Sequence, residues 1–112
     1  MSLAERIRES RKITIEVGNI KFFGTRATAE QFSAYSINST LDAQVARNHI
    51  TGWEGVKECD LIEGGSKEIV AFKRADFDEV IGDRPDWAGE IAKAVLSDAI
   101  DRINKRTENA KN

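Results

Sequence analysis

Two alternating runs meet at a glycine. Ile13-Thr14-Ile15-Glu16-Val17 is followed by Gly18-Asn19 and then by Ile20-Lys21-Phe22-Phe23-Gly24-Thr25. Alternation on both sides of a two-residue Gly-Asn loop predicts a β-hairpin. Such a loop sets Val17 opposite Ile20, Ile15 opposite Phe22 and Glu16 opposite Lys21, so one face is continuously apolar and the other carries a charge pair. Two strands are rarely stable alone in water, so the Ile13, Ile15, Val17, Ile20, Phe22 face must be covered by helices or joined by further strands. Phe23 falls on the opposite face, where it is either partly covered in its own right or offered to a partner.

The rest of the chain supplies the cover. Thr28 with Gln31 forms a capping box that opens a helix through Ala29, Phe32, Ala34, Tyr35 and Ile37, with Phe32 and Tyr35 on one face. Asn38-Ser39-Thr40 breaks the pattern, and Thr40 is placed to cap a second helix from Leu41 to about His49. Glycines at 52, 55, 64 and 65 interrupt helix; Val56 to Ile62 reads as extended, and Glu68 to Phe72 reads as a short strand, either a third strand of the sheet or half of a second hairpin closed at Gly64-Gly65. Trp53, in a glycine-flanked connection, is read as a core anchor in preference to an exposed binding hot spot. Arg74 to Ile81 predicts a brief helix stopped by Gly82. Pro85 and Asp86 open the longest helix, Trp87 to about Arg106, whose apolar stripe is Trp87, Ile91, Val95 and Ala99 with Leu96, Ile100 and Ile103.

At the N-terminus Ser2 and Glu5 cap a short helix through Ser10, with Leu3 and Ile7 at helical spacing; a helix this short must dock on something or fray. The polar stretch 107–112 is expected to fray. A chain of 112 residues divides poorly into two cores. The expectation is therefore one α+β domain over 1–112: a small antiparallel sheet built on the N-terminal hairpin, packed by several helices including a long C-terminal one, with residues 1–12 as a helical arm.

Charge and residue inventory exclude several kinds of chemistry. Seventeen basic against nineteen acidic residues give a formal net charge of -2, so no global positive field draws nucleic acid or anionic lipid. Arg6, Arg8, Arg11 and Lys12 make a local basic arm, interleaved with Glu5 and Glu9 as on a solvated helix face. No apolar run approaches the roughly 20 residues of a membrane span, and the charged start is not followed by a signal-peptide core. Cys59 is the only cysteine, which rules out an intrachain disulfide and suits a reducing, cytosolic compartment. His49 is the only histidine; with one Cys and one His the chain lacks a zinc ligand set, and no spacing resembles a calcium loop or a phosphate-binding glycine motif. No catalytic, cofactor or metal site is expected.

The run Ala46-Arg47-Asn48-His49-Ile50-Thr51-Gly52-Trp53-Glu54-Gly55-Val56, then Ile69-Val70-Ala71-Phe72, an acidic short helix, and an aromatic (Trp87) near the start of the last helix, resembles the small tail assembly chaperones of long-tailed bacteriophages. The resemblance spans roughly Ile13 to Ile103 and is one of layout and a single short motif. It implies a non-enzymatic protein in the cytoplasm of a bacterial host that binds the tape measure protein, recruits tail tube subunits during polymerisation and self-associates, without cofactors. The family carries no site residues to transfer. The residues themselves nominate Phe23, Phe32 and Tyr35 for protein binding. The alternative is a small phage or bacterial regulatory module that binds nucleic acid or protein through the basic arm.

Overall fold

In the computed structural model, which describes residues 1–111, the chain is α+β. Its elements run α1 (Leu3–Ser10), β1 (Lys12–Val17), β2 (Ile20–Thr25), α2 (Ala29–Asn38), α3 (Asp42–His49), β3 (Ile50–Glu54), α4 (Glu58–Leu61), α5 (Arg74–Val80), a 3₁₀ turn at Ile81–Asp83 and α6 (Pro85–Lys111). The strands form one antiparallel sheet in the order β1-β2-β3.

The hairpin has the register its loop demands: Val17 pairs with Ile20, Ile15 with Phe22 and Glu16 with Lys21. Gly18 takes φ +60° while Asn19 does not turn positive, the glycine-first arrangement of a II′ loop. Ile15, Ile20 and Phe22 are buried on one face.

The third strand is Ile50–Glu54, not Glu68–Phe72. Phe22 pairs with Trp53 and Phe23 with Gly52, but Gly24 pairs with Ile50, so Thr51 is an extra residue and the strand bulges there. The bulge turns Ile50 and Trp53 to the same buried face despite their odd spacing. Glu68–Phe72 touches Lys57 only through an isolated bridge at Ile69. The Val70 carbonyl, which a ladder would use, accepts the Trp53 indole N–H at 2.8 Å instead.

Other expectations are corrected in the same region. Val56–Ile62 is not extended: the Lys57 N–H donates to the Asp60 carboxylate at 2.9 Å, and the chain closes into α4. Thr40 does not cap α3. Its N–H donates back to the Tyr35 carbonyl at 3.1 Å, finishing α2 after Ser39 has turned left-handed at φ 50°, and Leu41 becomes the N-cap without a side-chain bond. The brief helix expected over Arg74 to Ile81 is α5, which ends at Val80 with Ile81 as its C-cap, and the chain passes through Gly82 in the 3₁₀ turn rather than stopping there. The helix α6 runs on to Lys111; Asn112, the last residue of the tail expected to fray, lies outside the described residues.

The helix α6 is the lid of the sheet. It buries Trp87, Ala88, Ile91, Ala92, Val95 and Ala99, while Ile100 remains 43% exposed, so the buried stripe is narrower than the sequence pattern suggests. Phe22 meets Trp87 edge-on at 5.3 Å and Phe77 at 6.3 Å, geometry that aromatic quadrupoles favour. Trp53 is buried, as an anchor should be, and packs on Phe72 at 5.0 Å. The arm helix α1 is the exception: none of its residues is buried.

Candidate protein-binding surfaces

His49 is held in a closed hydrogen-bond chain. Its ring is 1% exposed. Nδ1–H donates to the Thr25 carbonyl at 3.0 Å, and Nε2 accepts the Tyr35 hydroxyl proton at 2.7 Å. The Tyr35 oxygen in turn accepts from Asn48 Nδ2 at 3.2 Å, and Asn48 Oδ1 accepts from Gln44 Nε2 at 3.0 Å. Burial pushes the imidazole pKa below its ordinary value, partly offset by the Thr25 carbonyl. With both ring nitrogens engaged, His49 presents no proton acceptor to a substrate. The Cys59 thiol is exposed on α4. Among the described residues no three His, Cys, Asp or Glu side chains gather as metal ligands.

The three residues nominated for binding separate into two groups. Phe32 and Tyr35 lie half-buried against the core, and the Tyr35 hydroxyl is committed to His49. Phe23 stands on the outer face of the sheet, 38% exposed, in a row with Thr14 and Gly52. A Cβ on Gly52 would meet the Phe23 ring at 3.6 Å, an ordinary contact distance.

Two surface grooves escape the sequence, because each is assembled from distant segments. One, of about 420 Å³, lies between the α2–α3 junction and the start of α6, with Leu41, Ala43, Ile81, Pro85 and Ala88 as apolar wall and Ser39 and Thr40 at the edge. Leu41 is 76% exposed there. The other, of about 390 Å³, lies between α4 and α5 and is lined by Leu61, Ile62, Val70 and Val80 together with Glu58, Asp76, Glu79 and Asp83.

Arg47, Arg74 and Arg84 are spent on internal carbonyls. Arg47 donates to the Asp78 carbonyl at 3.0 Å near the end of α5. Arg74 donates to the Ile50 carbonyl at 2.5 Å and to that of Arg47, closing the end of α3. Arg84 donates to the Asp60 carbonyl at 2.6 Å and to Asp86, and stacks over Trp87 at 3.9 Å. Cations at helix C-termini satisfy carbonyls that have no partner within the helix.

The chain matches no protein-family model, no curated protein and no solved structure. Among the described residues no helix is long and apolar enough to cross a membrane.

Proposed function

We propose that the protein is a non-enzymatic binding domain of the tail assembly chaperone type, acting in the cytoplasm of a bacterial host on the tape measure protein and on tail tube subunits. The observation that carries this reading is the distribution of exposed apolar side chains. Phe23 on the sheet, Ile37 and Leu41 at the α2–α3 junction, Ile62 and Ile69 around α4, and Leu3 and Ile7 on α1 are all uncovered. Several separate apolar contact points on one small body suit capture of a long hydrophobic client by many copies, each contributing little.

A nucleic-acid role for the basic arm is the weaker reading. Glu5 and Glu9 share its helix, and Glu9 pairs with Lys12 at 2.9 Å, which reduces the field a phosphate backbone would meet. The deciding experiment is affinity capture with the tagged full chain from a host in which phage assembly is under way, with mass spectrometry of the bound proteins. Recovery of a very long helical tape measure protein or a tail tube subunit supports the chaperone. Recovery of nucleic acid alone, or of no phage protein, overturns it.

A further inference from the structure

The helix α1 has an apolar stripe with nothing on it. At about 100° per residue, Leu3 and Ile7 fall side by side with Ala4 next to them, Arg6 flanks the stripe on one side, Arg8 on the other, and Glu5 and Glu9 turn away. Leu3 is 69% and Ile7 42% exposed. Eight residues of helix are marginal in water unless one face is packed. Among the described residues neither Arg6 nor Arg8 is in an ion pair.

The groove between α4 and α5 is its complement. Its floor is apolar and its rim carries Glu58, Asp76, Glu79 and Asp83 with no lysine or arginine. None of these four carboxylates is in an ion pair among the described residues. Its volume of about 390 Å³ lies in the range of about 300–1,000 Å³ typical of binding pockets. An apolar stripe flanked by arginines is what an apolar floor rimmed by carboxylates selects.

The geometry points to a docking of α1 of one copy into the α4–α5 groove of a second copy. The same chain does not supply both parts. Only Arg11 separates α1 from β1, and that joint is tied down by the Arg26 N–H on the Arg11 carbonyl at 2.6 Å. The strands β1 and β3 are opposite edges of the sheet, about 10 Å apart at the usual strand spacing, and the groove lies on the β3 side, where the carbonyl of its lining residue Val70 accepts the Trp53 indole N–H. Because the two surfaces differ, the contact is head-to-tail and every copy offers one of each. Such a contact propagates into an open chain or closes into a ring. This deepens the self-association contained in the chaperone reading and rests on that reading for its purpose, but the contact itself needs no client.

The test is sedimentation of the purified full chain over a range of concentrations, so that client capture plays no part. At low salt the average mass rises with concentration above the 12.5 kDa monomer, and at about 1 M salt, where the Debye length is about 3 Å, the association weakens. Reversing the arm with Arg6→Glu and Arg8→Glu, or the rim with Asp76→Lys and Glu79→Lys, weakens it at least about tenfold. These positions are solvent-exposed, and circular dichroism confirms that each variant is folded. Combining all four reversals in one chain restores association, because the pairing is re-created with its signs exchanged. A parent that stays monomeric, reversals that leave the mass unchanged, or a fourfold variant that stays dissociated overturns the docking, while leaving the capture experiment to judge the client.

Discussion

The Tyr35 hydroxyl lies 2.7 Å from His49 Nε2 and, by donating to it, fixes the imidazole proton on Nδ1, where Thr25 receives it. Tyr35→Phe keeps the ring packing and strands Nε2, so it should cost about 1–3 kcal/mol, read as a lower urea midpoint. The imidazole pKa is below its ordinary 6.5 in the folded state, so the unfolded chain binds the proton more readily. Stability is then complete above the ordinary value of 6.5 and declines as pH falls below it toward the lower folded-state pKa. His49→Gln should flatten that part of the urea-midpoint profile.

Arg84 and Asp86 provide a second, more acidic pH response. The Arg84 hydrogen bond holds the Asp86 carboxyl at about 2, against 3.8 ordinarily. The pair's contribution is present above about pH 4 and is lost as pH falls through about 2. Asp86 is exposed, so Asp86→Asn should cost under about 1 kcal/mol at neutral pH and progressively less as pH falls through about 2. Arg84→Ala should cost more, about 1–3 kcal/mol, because it also frees the Asp60 carbonyl and uncovers Trp87. Paired denaturation curves at the two pH values separate these contributions.

Two glycines in one sheet should respond very differently to a methyl group. A Cβ on Gly24 would stand 2.2 Å from the His49 carbonyl, a backbone atom placed by the direct passage of α3 into β3. Gly24→Ala should therefore cost about 3 kcal/mol. A Cβ on Gly52 meets only the Phe23 ring at ordinary contact distance, and Gly52→Ala should stay within about 1 kcal/mol. Thermal melting of the two variants side by side is sufficient.

Phe23→Asp should lower stability by about 1–3 kcal/mol, since the ring is 38% exposed and the rest of it is covered on the central strand. The same change should markedly reduce recovery of the client in affinity capture. Loss of the fold in circular dichroism would instead assign Phe23 to the framework.

What the sequence disclosed follows from how local each cause is. The hairpin register was legible because a two-residue loop dictates it, and the α2 capping box because both partners lie within one turn, Thr28 accepting from Gln31 N–H at 3.1 Å. The third strand was not. Its pairing depends on a bulge at Thr51 that lets a glycine-containing segment outcompete Glu68–Phe72, and alternation alone cannot see a bulge. His49 was also opaque: Thr25, 24 positions away, supplies one partner, and Tyr35 turns from a surface candidate into a structural donor only once α2 and α3 are side by side. The acidic groove needs Glu58 and Asp83 together, which no local pattern predicts.

The placement of α6 over the sheet bears on how the protein is made. Synthesis delivers β1, β2 and β3 before any of Trp87, Ile91 or Val95 has emerged from the ribosome, so the face carrying Ile15 and Phe22 waits uncovered while the following segments are translated. Folding is therefore gated by the arrival of the last helix. A ribosome-stalled chain ending before Pro85 should bind holdase chaperones, and one extended past Ala99, with that helix clear of the exit tunnel, should release them.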